Sequence, residues 1–382
     1  MKVLRRYFAS ELLRAILFVL LAFLLLFAFI DLLYEFREVG RGSYDLYNAL
    51  LYVLLGFPGY AYELMPIAVL IGSVWVLAQF ASRSEFTIMR AAGMSAGMAG
   101  SMLARIALLF ALATFLLGEF VSPRAAEYAQ KLKLSMLGTS VSQEFRSGMW
   151  AKDLIKQEGL SENSVGTRFL NVRDIATNGQ LRNLTIYEFD DDLHLNAVIK
   201  ADHADYQGNN TWQMFNVTET RFSTDALSYT RSIDKSADAV ATRTWDSREL
   251  ISEVTPDIVT VVFADPERMS AYQLWTYTEH LRRNRQETDR YEIAFWKKIT
   301  YPLAIFVMMA LALPFAYMHA RSGGVSLKIF IGIMIGVSFQ LLNGLFAHVG
   351  LLNTWPAPLT ALLPSGLFLL AAIIALWRVE RH

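Results

Sequence analysis

The apolar residues of this chain come in long uninterrupted runs rather than at amphipathic spacing, which is the pattern of segments dissolved in lipid. A membrane-spanning helix needs about 20 mostly apolar residues. Segments 12–33, 60–80, 98–121, 299–317, 327–349 and 358–377 meet that length. The first half of them precedes a polar middle and the second half follows it. Residues 46–80 carry a single charge, Glu63, and a Gly56-Phe57-Pro58-Gly59 break, so this stretch reads as one crossing or two. Lys and Arg near span ends favour the cytoplasm. One crossing keeps Lys2, Arg5, Arg6, Arg14, Arg83, Arg90, Arg321, Lys328, Arg378 and Arg381 on that side, whereas two would move Arg83 and Arg90 outside. One long broken helix fits better, with both termini cytoplasmic and residues 123–297 outside.

That outer part changes period. Short strand-like pieces at 168–172, 184–189, 195–201, 212–217 and 242–245 alternate with Asn, Asp and Gly turns, of which Asn178-Gly179 and Gly208-Asn209-Asn210 are the clearest. Their spacing predicts an antiparallel sandwich or jelly roll. Residues 266–290 read as a helix returning to the membrane. The fold class expected is therefore an α+β membrane protein. Its domains are 1–122 (first three spans), 123–297 (outer β jelly roll with helical connectors) and 298–382 (last three spans).

The short link between the second and third spans holds a predicted helix at about 83–92. Ser82 and Glu85 have capping-box spacing, and Gly93 stands where a C′ glycine ends a helix. Phe86 and Met89, at i and i+3, form an apolar knob beside the Glu85 carboxylate. That knob either docks into a groove of a motor protein or dips into lipid headgroups while Glu85 only caps.

Composition narrows the chemistry. The 382 residues are 54% hydrophobic and 18% charged, and 35 Lys+Arg balance 35 Asp+Glu, so no net field favours nucleic acid. There is no Cys, which excludes thiolate metal sites and disulfides. No G-x-x-x-x-G-K-[ST] loop is present, so any ATP used is hydrolysed by another chain. The apolar run after Lys2, Arg5 and Arg6 is too long for a cleaved leader and reads as a retained helix. Asp31 and Glu119 fall near the outer interface and read as structural, while Glu63 stays open between structure and proton relay. Cations gather where the outer domain meets the membrane: Arg37, Arg41, Arg124, Lys131, Lys133, Lys297 and Lys298. They either bind the phosphates of an anionic lipid or pair with Glu35, Glu38 and Glu127. His194 and His203 lack an evident third ligand, so no metal is expected.

Several segments together resemble the lipopolysaccharide-export permease family LptF/LptG, closer to its LptG type. They are Gly40-Arg41-Gly42-Ser43-Tyr44-Asp45, Leu77-Ala78-Gln79 with Arg83-Ser84-Glu85 and 89–93, Gly118-Glu119-Phe120-Val121-Ser122-Pro123, Gly148-Met149-Trp150-Ala151-Lys152-Asp153, Val307-Met308-Met309-Ala310-Leu311-Ala312 and Leu363-Pro364-Ser365. The likeness covers nearly the whole chain, and its specificity lies in order and spacing. It implies a heterodimer with an F-type permease subunit on a cytoplasmic ABC ATPase dimer, with a periplasmic bridge protein and a single-span modulator. It implies no cofactor in this chain. Glu85 matches the carboxylate that meets the ATPase, flanked by Arg83, Phe86, Met89 and Arg90. Lys133 matches an outer cation of the lipopolysaccharide cavity, and residues 27–34 and 331–346 match a lateral gate. Phe27, Ile30, Asp31, Tyr34, Arg37, Arg41, Arg124, Lys131, Lys298 and Phe339 are the further substrate candidates. Asp31 departs from relatives that carry lysine near the end of the first helix, which leaves Arg37 to supply that charge. The alternatives are a non-transporting membrane receptor or scaffold, and an exporter of another amphiphile whose outer domain would follow the first span.

Overall fold

The computed structural model describes residues 2–137, 148–156, 164–176, 179–190, 192–222, 240–256, 258–259, 265–317 and 324–381; Asn178 and Arg321 lie outside the described residues. Helices α1 (Lys2–Glu35), α2 (Leu46–Ser82), α3 (Glu85–Ala91) and α4 (Ala96–Leu116) come first, and a π-helical turn (Leu117–Val121) leads into α5 (Ser122–Leu137). Six strands follow: β1 (Met149–Lys156), β2 (Ser164–Ile175), β3 (Leu181–Phe189), β4 (Leu195–Gly208), β5 (Thr211–Phe222) and β6 (Val240–Ile251). The chain returns through a 3-10 turn (Pro266–Arg268), α6 (Ala271–Arg283), α7 (Asp289–Ala312), α8 (Pro314–Tyr317), α9 (Val325–Leu352) and α10 (Ala357–Arg381). Among the described residues, 6 helices are long and apolar enough to cross a membrane, and the strands fall between the third and the fourth of them.

The helix ends depart from the sequence expectation. No break interrupts α2, which stays helical through Pro58 and Pro66 for 37 residues. At 1.5 Å per residue it is about 55 Å long, against roughly 30 Å of hydrocarbon. It is thus longer than one crossing needs, and α5 packs along it. The third span does not stop at Val121 but runs on to Leu137, so Arg124, Lys131 and Lys133 ride on a helix. The single helix expected over 266–290 is split: Asn284 caps α6, Arg285 takes a left-handed φ of 51°, and α7 starts at Asp289.

Two cores result. The membrane core is centred on α2, whose crossing with α1 is so close that a Cβ on Gly72 would lie 2.7 Å from the Ile16 Cα. The second core lies under one face of the sheet, where Leu170, Leu184, Ile186, Ile199 and Met214 meet Leu274 and Leu281 of α6. Trp212 is fully buried there, its indole N–H donating to the Val254 carbonyl at 2.7 Å. The sheet order is β1-β2-β3-β4-β5-β6 with every pair antiparallel. This is an up-and-down meander, and these pairings contain none of the crossovers expected of a jelly roll. Asn209 and Asn210, both at positive φ between paired Gly208 and Thr211, make the two-residue β4–β5 hairpin that the sequence predicts.

Candidate functional site

At one end of the bundle, α2 hands over to α3 through Arg83 and Ser84. Ser84 sits at φ 59° and starts α3 without a side-chain cap, while the Ser82 hydroxyl donates back to the Gln79 carbonyl at 2.9 Å. The expected Ser82–Glu85 capping box is thus absent, and α3 has 7 residues. The box that does form joins Ser270 and Gln273 at the start of α6. The far end of α3 is as predicted. Gly93 at φ 94° donates to the Arg90 carbonyl, and Met94 donates to that of Met89, which is a Schellman closure.

The apolar knob faces the other way from the sequence expectation. Phe86 and Met89 are buried in the chain's own core, with Phe86 edge-on to Tyr317 of α8 at 5.0 Å. The outward face presents Ile88, Arg83 and Arg90, and the Arg90 guanidinium lies over the Tyr317 ring at 5.2 Å. Glu85 accepts a hydrogen bond from the Tyr7 hydroxyl at 3.2 Å and has Arg83 at 3.8 Å. The carboxylate therefore links the short helix to the first turns of α1.

At the opposite end, α1, α2 and α5 build a polar cluster. Buried Glu35 accepts from the Lys133 ammonium at 2.6 Å and from the Tyr44 hydroxyl at 2.8 Å, and Lys133 also lies over the Tyr52 ring at 4.7 Å. Burial and the Glu35 hydrogen bond push the Tyr44 phenol above its ordinary range. Arg41 pairs with Glu38 at 2.7 Å, Lys131 with Glu127 at 2.6 Å, and Asp31 accepts from the Tyr60 hydroxyl at 2.7 Å. So the structural partners weighed for Lys133, Arg41 and Lys131 are the ones found. Among the described residues Arg37 and Arg124 form no ion pair. Arg37 lies over the Tyr34 ring at 5.8 Å, and Arg124 borders a cavity of about 460 Å³ beside Glu119 and Tyr272.

Of the apolar substrate candidates, Ile30 and Tyr34 are exposed on α1 and Phe27 is half-buried against the Tyr60 ring. Phe339 is not on a surface at all: it is 1% exposed and edge-on to Phe368. Lys298 stands apart from the other cations. It is enclosed between α2 and α7, its ammonium 4.6 Å from the centre of the Tyr62 ring. Tyr62 in turn faces Tyr301, whose hydroxyl donates to the Glu63 carbonyl at 2.6 Å. Gly118 leaves the room, since a Cβ there would fall 2.5 Å from the Tyr62 ring.

Sequence reasoning missed three of these features. Glu119 accepts from the Ala271 and Tyr272 N–H groups at 2.8 and 3.2 Å and so caps α6 across 152 residues. Tyr7 was not singled out, and neither was the enclosure of Lys298. No local pattern signals any of them, because each partner lies far away in the chain. His203 stacks on Phe215 at 4.7 Å and His194 leans on Asp190 at 3.5 Å.

The comparisons with known proteins agree with one another. The family model described as lipopolysaccharide export system permease LptF/LptG matches residues 6–378. A lipopolysaccharide export system permease protein LptG of Haemophilus influenzae is 30% identical over 373 residues, 97% of this chain and 96% of the relative. The LptG protein of Escherichia coli K12 is 28% identical over 380 residues, 99% of this chain and 98% of the relative.

Proposed function

Because the chain belongs to the lipopolysaccharide export system permease family LptF/LptG, we propose a route for the lipid through it and a point of contact with its motor. The chain is a permease subunit of lipopolysaccharide export and not itself an enzyme; ATP hydrolysis belongs to a separate subunit. Its apolar helices make it a multi-pass inner-membrane protein that works with the partner permease LptF. The observation that carries this reading is the family match, which runs almost from end to end.

Both termini and α3 face the cytoplasm in this proposal, because Arg5, Arg6, Arg14, Arg83, Arg90, Lys328 and Arg378 then share one side. The antiparallel sheet stands in the periplasm as the start of the path to the bridge protein, with the single-span modulator alongside. α1 exposes most of its apolar length, including Leu21, Leu25, Phe29 and Leu33 at one-turn intervals. Such a stripe suits lipid and the F-type partner better than a packed interior. Lipopolysaccharide enters sideways along Phe27, Ile30 and Tyr34, and Arg37 and Arg124, which have no carboxylate partner among the described residues, take its phosphates. Arg41, Lys131 and Lys133 shape that rim while bonded to their own carboxylates. The ATPase dimer meets Glu85, Arg83, Ile88 and Arg90, and buried Phe86 and Met89 carry its push to Tyr317 and the span before it.

Photo-cross-linkers placed singly at Ile30, Tyr34 and Trp377 test the route. Lipopolysaccharide adducts are expected at the first two positions and to fall when ATP turns over. Adducts at Trp377 alone would overturn it.

A further inference from the structure

The face of α6 turned away from the sheet changes character along its length. Tyr272 and Trp275, 69% and 56% exposed, stand on it at i and i+3, and Glu279, Arg282 and Arg283 follow on the same face one and two turns later. The charges satisfy one another, since Glu279 pairs with Arg282 at 3.2 Å and with Arg283 at 3.3 Å. The aromatic pair has no such partners: among the described residues neither the Tyr272 hydroxyl nor the Trp275 indole N–H makes a hydrogen bond. The opposite face is fully used, because Leu274, Tyr277 and Leu281 lie in the core under the sheet.

Where α6 begins decides what the aromatic pair meets. The Glu119 carboxylate accepts from the Ala271 and Tyr272 N–H groups, which fixes the first turn of α6 to the end of the third membrane helix. On that helix Leu108, Leu112, Leu116 and Phe120 are exposed at four-residue intervals, a stripe of the kind that faces acyl chains. Phe120 and Tyr272 both line the cavity that Arg124 borders, so the stripe passes from the span onto α6. From the span onward the exposed residues are apolar, then aromatic with a polar tip, then charged. A bilayer changes in the same order from acyl chains through headgroups to water, and Tyr and Trp gather in its middle layer. Along the helix axis the two residues are about 4.5 Å apart, which fits within a headgroup layer roughly 6 Å deep. We propose that Tyr272 and Trp275 sit among phospholipid headgroups and anchor the sheet domain to the membrane surface. The hydroxyl and the indole N–H donate to phosphate or ester oxygens, and the rings lie beside the first methylenes of the chains. This anchor depends on the chain's membrane placement and not on the lipopolysaccharide route proposed above.

The chain has no Cys, so a nitroxide can be placed at one introduced thiol at a time. The complete transporter, with the thiols of its partner subunits blocked, is reconstituted in liposomes of phosphatidylethanolamine and phosphatidylglycerol. Access of oxygen, which concentrates among acyl chains, is then compared with access of a water-soluble nickel chelate. Labels at Leu112→Cys should favour oxygen, labels at Arg283→Cys should favour nickel, and labels at Thr276→Cys, beside the intact aromatic pair, should fall between them. Adding Tyr272→Ser and Trp275→Ser should raise nickel access at position 276 to the level at 283. The melting temperature in detergent should stay unchanged, because both replaced side chains are exposed. Equal nickel access at 276 and 283 beside the intact pair would overturn the proposal. So would a label at 276 that neither reagent reaches, which would mean that a partner subunit covers this face, and so would unchanged access in the double variant. Lipopolysaccharide adducts at Ile30 and Tyr34 do not enter this readout, so the anchor and the lipid route can fail separately.

Discussion

Lys133 cannot be judged by its charge alone, since it holds the buried Glu35 carboxylate at 2.6 Å together with Tyr44. Removing one member of a fully buried pair costs about 3–5 kcal/mol; the Lys133 side chain is 28% exposed, so Lys133→Met should cost less than that. Adding Glu35→Gln should recover most of the loss. Thermal melting of the four proteins of that double-mutant cycle checks it, and strictly additive losses would contradict the coupling. Gly118→Ala should destabilise by about 1–3 kcal/mol, since the new methyl overlaps the Tyr62 ring; an unchanged melt would show that the π-helical turn yields freely. Burial lowers the pKa of the His280 imidazole below its ordinary 6.5, against the opposing pull of Asp153 and Glu253. The fold then keeps it neutral while the unfolded chain protonates, so stability falls as pH drops through about 6.5 and is unaffected above. His280→Gln should flatten that part of the melting-temperature profile. The gathering of the cations Arg41, Lys131 and Lys133 and their candidate partners Glu35, Glu38 and Glu127 were readable from the sequence, but which carboxylate each one meets was not. Glu35 and Lys133 are 98 residues apart, and no local period connects them.

Among the elements, the long apolar helices and the hearts of five strands were legible because each follows a local pattern of hydrophobic length or alternation. β1 was not, since its face toward the core includes the buried Asp153, which pairs with Arg168 at 2.9 Å and breaks the alternation. The helix ends were misjudged where a cap was inferred from spacing alone: Ser82 and Glu85 have the right interval, yet Ser84 starts the helix. For α3 the i, i+3 apolar pair was visible, but which neighbour it meets depends on Tyr317, more than 200 residues away. The inward-facing pair makes a specific demand on this element. Ile88→Glu, on the exposed face, should weaken ATPase association with little change in melting temperature. Phe86→Ala should lower the melting temperature, by about 3–5 kcal/mol in stability. Pull-down of the ATPase alongside melting checks both, and the reverse pattern would place the docking face on the Phe86 side.

At the scale of the whole molecule, continuous contacts join the two ends. Glu85 reaches Tyr7 at the start of α1, α4 rises from the turn after α3, and the π-helical turn above it carries Glu119 to the N-terminus of α6 beneath the sheet. A displacement of α3 would thus reach both the exposed α1 face and the base of the sheet domain, as the proposed coupling requires. The most direct test is ATP-driven transfer of lipopolysaccharide out of proteoliposomes that hold the chain with its partner permease and ATPase. Wild type should transfer lipid, and Glu85→Arg should keep ATP hydrolysis and lipid binding while losing transfer. Transfer at the wild-type rate with the reversed charge would contradict the account.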